Sequence, residues 1–441
     1  MKYRKRPPLS ARDFQILFLI GLVTIIVVAT LIGADIQLTR GLTGGGSFYA
    51  AWEGARAFLF QHTMPYSGAV ASLAQEHAYG RLAHAGENPY FPAVPFFLLP
   101  AYFPFALTPD AETARGVWLF INQAALAGTA FLSLKLIEWQ PNRLFRIAFA
   151  ILSVFGFYSV MAMLEGGPAI LLGLLYAAIL LAYYTQQDEL AGGLLVLALF
   201  AWEIGLFYVI LLMWRIFYEK RWRVLAGFGM TLAVLMIISL IIYPGWIFAY
   251  LISTLAMLGA SFGTTTAATF ERLSPTYGVH AAQAVTVLLV ILLLYEWAAT
   301  RGADFRRFIW AACLTLAATP LIGLRTDLSN MAALLPSLTL IFAATTGRWR
   351  TGYWLTSVLL LLVLLVPWGL FIRWYWLRDP RSYDYLLLFY PLFTMAGLYW
   401  TRWWFIRPPR TWLEHMRTTL DPRRPAANSK RLPTVTGTAP K

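Results

Sequence analysis

Residues 14–34 read FQILFLIGLVTIIVVATLIGA, a run of 21 residues that contains no Asp, Glu, Lys or Arg. A helix of about 20 apolar residues is long enough to cross the hydrocarbon core of a bilayer. A second run, at 224–270, continues without a charged residue for 47 positions and is interrupted by the turn sequence PGW at 244–246. These two stretches predict a protein that is solvated mainly by lipid.

Further apolar segments follow along the whole chain. Of the 441 residues, 59% are hydrophobic and 13% are charged, a balance foreign to ordinary soluble domains. Leu, Ala, Ile and Val dominate these segments without alternating with polar residues, which predicts helices rather than the strands of a membrane barrel. The predicted fold class is all-α, a polytopic transmembrane helical bundle of about twelve spans. The spans are expected near residues 14–34, 91–108, 114–136, 145–164, 168–185, 190–214, 224–243, 278–297, 308–323, 329–345, 352–372 and 384–401.

Polarity divides the chain into three regions. Residues 1–13 are a basic N-terminus, residues 14–406 the membrane bundle, and residues 407–441 a basic, proline-rich tail that is expected to be disordered because it has few apolar residues to bury. The first apolar run is too long for a secretory signal and lacks a small-residue cleavage site after it, so it is expected to remain as the first helix. Two long outer loops are predicted, at 35–90 and 244–277.

The formal net charge of +14 is explained by the basic residues that flank the spans. Cytoplasmic loops of membrane proteins are enriched in Lys and Arg. If both termini are cytoplasmic, 24 of the 35 basic residues fall on that side, which predicts a multi-pass plasma-membrane protein and requires no nucleic-acid partner. Lys135, Arg143 and Arg146 fall on the outer side in this map, against the rule, so the number of helices near them is left open.

The outer loop at 35–90 is the longest predicted connection, and long ordered loops usually carry function. Apolar side chains recur within it at spacings of three and four residues, at Phe48, Trp52, Ala55, Phe58 and Leu59. This pattern predicts an amphipathic interfacial helix, lying on the membrane surface. The glycine run at 44–46 has no accompanying phosphate-loop motif and is interpreted as a flexible entry to that helix.

Three segments, taken in order, resemble membrane glycosyltransferases of the GT-C type, and more closely glycosyltransferase family 87, a group that depends on polyprenol-phosphate-mannose. SFYAAWEGARAFLFQHTMPYS at 47–67 is similar to the family's Asp-Phe, Ala-Arg and Pro-Tyr loop. NPYFPAVPFFLLPAYFPFAL at 88–107 resembles its Tyr-Pro-Pro segment, and ATPLIGLRTDLSNMAALLP at 318–336 its Thr-Pro, Asp and Pro-headed helix. The resemblance covers roughly residues 14–345.

The resemblance implies a helical bundle whose outer loops roof a cavity. It implies transfer of a hexosyl group, usually mannosyl, from a polyprenyl-phosphate sugar to a hydroxyl of a lipid or glycan acceptor on the extracytoplasmic face. Such a reaction needs a carboxylate that takes the acceptor proton, and cations or amide donors that stabilise the departing phosphate. The implied partners are the donor, the acceptor and membrane lipids, and no nucleotide site is needed.

The chain departs from the family where the loop would have its working Asp, because Ser47 stands there. The hydroxyl of serine cannot act as the base, because it does not hold a proton at the pKa that the reaction requires. Asp35 and Glu53 are the predicted catalytic replacements. Each has a plainer alternative: Asp35 as an interfacial carboxylate at the end of a membrane helix, and Glu53 as the partner of Arg56 three residues later.

For the donor phosphate, Arg325 is the first candidate, because its guanidinium can bind two phosphate oxygens. Its alternative is a surface ion pair with Asp327. Arg56 and Arg81 are the second candidates for phosphate binding. The sugar or the acceptor is expected to contact polar and aromatic side chains, although Tyr and Trp are also routine at membrane interfaces. These side chains are Ser47, Tyr49, Trp52, Tyr66, Tyr90, Asp327 and Asn330.

No cofactor and no metal site is predicted. His62, His77 and His84 share the first loop, but their spacings do not match paired ligands on a helix. Glu87 could bind a divalent cation together with Asp35, but nothing else in the sequence supports such a site. The single cysteine, Cys313, lies in an apolar segment, which excludes a disulfide framework and a thiolate metal site.

Two rival functions stay open at this point. Glu165 and Glu203 lie at or inside apolar segments, as carboxylates of a transporter or a flippase of lipid-linked sugars would. A catalytically silent relative that binds polyprenyl-linked glycans is the other rival, favoured by Ser47. It is also favoured by EGGPAILLG at 165–173 and LFAWEIGL at 199–206, which lack the Gln and the Lys-Pro that the resemblance implies.

Overall fold

A computed structural model describes residues 11–84, 86–259, 264–349 and 351–406. Helices make up most of these ranges, and the only β-type pairing within them is one isolated bridge between Thr264 and Thr326. The all-α prediction is therefore confirmed. The helices are Ala11–Gly41 (α1), Gly46–Phe60 (α2), Gly68–Tyr79 (α3), Phe103–Ala106 (α4), Ala111–Leu136 (α5), Arg143–Phe155 (α6), Phe157–Glu165 (α7), Ala169–Tyr184 (α8), Asp188–Leu197 (α9), Trp202–Glu219 (α10), Trp222–Ile242 (α11), Trp246–Gly259 (α12), Thr266–Leu273 (α13), Gly278–Ala298 (α14), Phe305–Ala318 (α15), Leu335–Arg348 (α16), Gly352–Leu377 (α17) and Pro380–Ile406 (α18).

Seven helices within the described ranges are long and apolar enough to cross a membrane. Several of them expose large apolar side chains along much of their length, as the solvent-facing helices of a water-soluble protein do not. The chain is thus compatible with a membrane protein, while the expected count of about twelve spans stays a prediction. The seven segments are Phe18–Gly41, Ala111–Leu136, Arg143–Glu165, Trp222–Ile242, Gly278–Ala298, Ser329–Arg348 and Gly352–Leu377.

Ion pairs link several helix connections at one end of the bundle, which we call the basic end. Arg215 of α10 donates to the backbone carbonyls of Thr300 and Ala303 in the α14–α15 connection. The same connection reaches the turn after α5, where Arg306 pairs with Glu138 at 3.6 Å. The basic end is completed by the pairs Arg221 with Asp188, Arg215 with Glu219, and Arg402 with Glu296.

The opposite end of the bundle holds a cavity, and we call it the cavity end. Arg115, near the start of α5, donates to the carbonyls of Leu42, Thr43 and Leu164 there. Because α5 runs from this end to Glu138 at the basic end, Lys135, Arg143 and Arg146 all lie near the basic end. Their predicted position on the side opposite to Arg215 is wrong, and so is the predicted position of Arg115 on the same side as Arg215.

The cause is the segment predicted as a span at 91–108. It forms a 3-10 helix, Phe96–Tyr102, followed by the four-residue α4. Both of its flanks lie at the cavity end, since the Tyr66 hydroxyl donates to the Val94 carbonyl at 2.8 Å and the Trp52 indole donates to the Phe105 carbonyl at 3.0 Å. Prolines at 92, 95, 100 and 104 remove backbone donors, which favours such a short, broken element over a long helix.

The segment 190–214, predicted as a single span, forms two helices that run in opposite directions. Helix α9 starts at the basic end and a 3-10 turn, Ala198–Phe200, brings the chain to the cavity end; α10 then returns to Arg215. The reversal occurs at Ala201, whose backbone is extended, with φ −137° and ψ 99°. Apolarity continues across the turn because both helices are buried, so hydropathy does not mark it.

The first outer loop forms a buried cap rather than an interfacial helix with one free face. Helix α2 is present as expected, but ten of its fifteen residues are buried, including Phe48, Trp52 and Glu53. It packs against α3, the 3-10 helix and α4 in one aromatic cluster. The second predicted outer loop, at 244–277, contains the helices α12 and α13, and the predicted tail at 407–441 lies outside the described residues.

Candidate functional site

A cavity of about 390 Å³ opens between the cap and the bundle at the cavity end. This volume falls within the usual range for a small-molecule site. Five of the residues singled out from the sequence line it together: Ser47, Tyr90, Arg325, Asp327 and Asn330. Two carboxylates, Glu165 and Glu203, and a set of aromatic side chains complete its wall. The aromatic residues are Phe91, Tyr102, Phe200, Trp202, Tyr250 and Tyr383.

Ser47 and Glu165 meet in this cavity. The Ser47 hydroxyl donates a hydrogen bond of 2.7 Å to Oε1 of Glu165, although the residues are 118 positions apart in the chain. The Glu165 side chain is only partly covered by protein. A carboxylate thus stands in contact with Ser47, the position at which the sequence resemblance implies an Asp.

Helix breaks place Glu165 at the cavity wall. The apolar segment 143–165 is interrupted at Gly156, which ends α6 with an extended ψ of 139° and starts α7. Helix α7 then ends at Glu165, because Gly166 takes a left-handed conformation with φ 69° and its carbonyl accepts a hydrogen bond from the Trp118 indole at 2.9 Å. Pro168 follows and starts α8.

The glycine run at 44–46 is shaped by close contacts rather than by flexibility. Gly44 and Gly45 have φ values of 101° and 83°, a region that glycine tolerates best. A β-carbon on Gly45 would lie 2.5 Å from Nε of Arg115, and one on Gly46 would lie 2.0 Å from Cζ of Tyr90. The interpretation as a flexible entry is therefore wrong: the run is a fixed turn that brings Tyr90 to the start of α2.

Tyr90 is held in an unusual backbone conformation, with φ 46°. Such a left-handed geometry costs a residue with a side chain about 1–3 kcal/mol and often occurs at functional sites. The ring is buried against Tyr79 and Gly46. Burial raises the pKa of the Tyr90 phenol, and the nearby charge of Glu165 raises it further, so the hydroxyl stays neutral beside the carboxylate.

Arg325 and Asp327 lie in the loop before the 3-10 helix Ser329–Leu334. Arg325 Nη1 donates to the Met257 carbonyl of α12 at 2.5 Å, and burial lowers the pKa of its guanidinium while the charge of Glu203 partly offsets that effect. Asp327 Oδ1 accepts hydrogen bonds from the backbone N–H groups of Ser329 and Asn330, at 2.8 and 3.2 Å. Asp327 thus caps the helix start, and Arg325 presents a cation to the cavity.

Three α-helices begin at the cavity wall with no side-chain cap. Their N-cap residues are Gly45 for α2, Pro168 for α8 and Ala201 for α10, and none of these side chains accepts a hydrogen bond from the first turn. The first N–H groups of a helix lack partners within the helix and carry a partial positive charge. Carboxylates already stand at two of these starts, Glu165 at Ser47 of α2 and Glu203 in the first turn of α10, so Arg325 and the start of α8 are the parts of this wall that favour a further anion.

The two predicted catalytic carboxylates of the first outer region do not reach the cavity. Asp35 is 6% exposed on α1, and its Oδ1 accepts a hydrogen bond of 2.9 Å from Gln123 of α5. Glu53 is 5% exposed, and its Oε1 lies 3.0 Å from Nε2 of His77. Neither is among the residues that line the cavity.

The remaining predicted residues hold the cap together. Arg56 donates to the carbonyls of Ala106 and Thr108 and stacks on Trp52. Arg81 pairs with Glu87 on the exposed surface. The three aromatic residues Tyr49, Trp52 and Tyr66 are buried in the cap, where Tyr49 packs on His77.

From the sequence, Glu165 and Glu203 support only the hypothesis of a transporter or flippase. Nothing in the sequence places them beside Ser47 or Arg325. One local signal was available for Glu165. The sequence Glu165-Gly166-Gly167-Pro168 combines a helix stop with a helix start inside an apolar stretch, and broken helices in membranes often form binding sites. Glu203 follows the turn at Ala201. No Gly or Pro stands at this turn, so the sequence gives no signal for it.

No group of three or more His, Cys, Asp or Glu side chains in the described ranges is arranged to hold a metal ion. Comparison with protein-family models, curated proteins and solved structures finds no match for this chain.

Proposed function

We propose that the protein is a glycosyltransferase of the membrane that moves a hexosyl group, mannosyl in the first instance, from a polyprenyl-phosphate sugar to a hydroxyl of a lipid or glycan acceptor. The observation that carries the proposal is the meeting, in one cavity, of a carboxylate, a guanidinium and a wall of aromatic side chains. Glycosyl transfer from a lipid phosphate calls for these groups: a base, a stabilised leaving phosphate and a surface for a sugar ring.

The phosphate of the donor would lie against Arg325 and the start of α8, whose first turn holds no acidic residue. A guanidinium can bind phosphate oxygens in pairs, and helix starts favour anions by about 0.3–1 kcal/mol each. The sugar ring would then contact the aromatic wall, where Tyr90, Trp202 and Tyr250 offer both apolar faces and polar groups.

The isoprenoid tail would remain in lipid, beside α12. One face of this helix lines the cavity with Tyr250, Thr254 and Met257. Another face is apolar and open, with Phe248 and Ile252 exposed by 75% and 68%. A lipid-anchored donor can therefore approach the phosphate site along α12 without removing its tail from the bilayer.

The orientation follows from the distribution of basic residues. Lys135, Arg143 and Arg146 join Arg215 and Arg221 at the basic end, so the violation of the positive-inside rule in the sequence map is removed. We propose a multi-pass plasma-membrane protein with its basic end and both termini in the cytoplasm. The cavity then faces the extracytoplasmic side.

The test uses the full chain in lipid nanodiscs with radiolabelled polyprenyl-phosphate-mannose and lipid acceptors. We expect the label to move to the acceptor while free polyprenyl phosphate appears in equal amount, and Arg325→Ala to slow this transfer. Polyprenyl phosphates that carry glucose or galactose define the sugar. If no label leaves any of these donors, for an acceptor or for water, the proposal is wrong.

A flippase of lipid-linked sugars is the second candidate, because the helix breaks at Gly156 and Ala201 bring Glu165 and Glu203 to the cavity. Proteoliposomes distinguish the two functions. A flippase moves intact labelled donor between leaflets without releasing polyprenyl phosphate, whereas a transferase releases it from one side only.

A further inference from the structure

We infer that Glu165, at the end of α7, is the general base of the proposed transfer, and that Ser47 positions it. This inference rests on the proposed function and adds the identity and origin of its working carboxylate. The family resemblance locates a carboxylate at position 47, in the first turn of α2. Here the carboxylate comes to the same point from a different helix.

Ser47 and Glu165 are in direct contact at the cavity wall. Ser47 Oγ and Glu165 Oε1 are 2.7 Å apart, so the carboxylate of Glu165 occupies the space that a longer acidic side chain at position 47 would reach. A β-carbon at Gly167 would lie 3.6 Å from Cβ of Ser47, an ordinary contact distance, so the turn after Glu165 packs on Ser47 without a clash. A base must contact its proton directly or through one water, and Glu165 is placed on the cavity wall where an acceptor hydroxyl can do so.

The other candidate carboxylates are held away from the acceptor position. Asp35 and Glu53 are almost fully buried away from the cavity and are held by Gln123 and His77. Asp327 caps the helix start at Ser329 and Asn330. Glu203 lies near Arg325, where it offsets the effect of burial on the guanidinium, and a base is not needed beside the leaving phosphate.

The serine has a defined part in this arrangement. A carboxylate offers about four acceptor positions on two oxygens, so the bond from Ser47 fixes the rotamer of Glu165 and still leaves room for an acceptor hydroxyl. Tyr90, whose neutral phenol is near the same carboxylate, is a second hydrogen-bond partner of Glu165. The loss of Asp at position 47 is thereby compatible with activity.

The chemical step balances as follows. The acceptor hydroxyl gives its proton to the Glu165 carboxylate while its oxygen forms a bond to C1 of the sugar. The bond between C1 and the phosphate oxygen breaks, and its electron pair stays on polyprenyl phosphate, next to Arg325. The protonated Glu165 then returns its proton to water in the open cavity. No oxidant, reductant or further reactant is required.

The decisive experiment moves the carboxylate back to α2. In the assay with radiolabelled polyprenyl-phosphate-mannose, we expect the isosteric Glu165→Gln to lower kcat by about 100-fold or more with little change in the KM for the donor. Glu165→Ser should be equally slow. The double variant Ser47→Asp/Glu165→Ser should be at least about tenfold faster than Glu165→Ser, since it moves a carboxylate from α7 to α2 across the same gap.

The controls separate a catalytic from a structural role. Glu76→Gln removes an exposed carboxylate of α3 and should leave the rate unchanged. Each variant is compared only after its elution profile and melting temperature match those of the parent. In the parent, kcat should fall on acidification as the base is protonated, and this acid limb should vanish in Glu165→Gln and reappear in the double variant.

The outcomes are distinct. If the parent transfers sugar and Glu165→Gln keeps more than half of its rate, the inference is wrong while the proposed function stands. If the folded double variant stays as slow as Glu165→Ser, position 47 is not equivalent and the inference is also wrong. If the parent releases no sugar from any lipid-phosphate donor, the proposed function fails first.

Discussion

The ring of Tyr90 lies directly on the backbone of Gly46, so closely that a β-carbon at position 46 would be 2.0 Å from Cζ of the ring. Two segments of the cap, the start of α2 and the loop at 88–94, meet at this contact. Because Tyr90 and Ser47 both line the cavity, the contact sets the distance between two parts of the candidate site.

Gly46→Ala should therefore displace Tyr90 and damage the site. We expect overpacking to lower the free energy of unfolding by about 1–3 kcal/mol and transfer to fall at least tenfold. Gly68→Ala is the matched control, because nothing lies within 4 Å of a β-carbon there and its helix α3 gains a better helix former. Equal melting temperatures for the two variants in detergent would contradict the contact.

Arg325 should contribute to donor binding through both charge and geometry. We expect Arg325→Ala to raise the KM for polyprenyl-phosphate-mannose about tenfold or more, and Arg325→Lys to recover only part of it, because an ammonium cannot bind two oxygens in a fixed fork. Initial-rate kinetics over a range of donor concentrations measure this change. Arg143→Ala is the control, because it also removes one positive charge but lies at the basic end, away from the cavity. A KM that responds equally to both substitutions would remove Arg325 from the site.

Acid should open the exposed turn that joins α3 to Tyr90. The Arg81 guanidinium and the backbone N–H of His84 hold the pKa of Glu87 at about 2, below its usual 4.5. Since the folded pKa is the lower one, the stabilising effect is complete above pH 4.5 and is lost as the pH falls towards 2.

Hydrogen exchange at the His84 amide measures this loss. After correction for the intrinsic rate, its protection should decrease between pH 5 and pH 2 in the parent and should be low at both values in Glu87→Gln. Protection that does not depend on pH in the parent would show that the Arg81 and Glu87 pair is not formed in solution.

Arg143 should be accessible from the same side of the membrane as Lys220, contrary to the sequence map. In a Cys313→Ala background, Arg143→Cys and Lys220→Cys are both exposed, whereas Gln61→Cys lies in the cap at the other end. An impermeant maleimide added to intact cells should label only Gln61→Cys, and permeabilisation should add the other two. Labelling of Arg143→Cys before permeabilisation would contradict the fold at 91–108.

The helical class of the fold was predictable because it depends on local properties. Long runs without charge favour helices in lipid, as every backbone donor and acceptor must be satisfied within the segment. The helix at 46–60 was likewise visible in the spacing of Phe48 and Trp52. Its surroundings were not, since the same apolar spacing suits a lipid surface and a protein cap.

The path of the chain was harder to predict. The segment at 91–108 and the pair α9 and α10 are as apolar as single spans, but one stays at the cavity end and the other turns back at Ala201. Hydropathy measures the environment of a residue and not the direction of the chain. The first error displaced Lys135, Arg143 and Arg146 to the wrong end, and the second restored the predicted direction of the chain from Arg215 onward.

From the sequence alone follow the all-α class with its long apolar helices and the choice of Arg325, Asp327, Asn330, Ser47 and Tyr90 as candidates to contact the donor or the acceptor. Which carboxylate joins them depends on the packing of the helices. Asp35 and Glu53 are near Ser47 in the chain, yet helix packing turns both away from the cavity, while Glu165 arrives from 118 positions further on. Local patterns encode the faces of single helices, whereas a site between helices depends on how those faces pack.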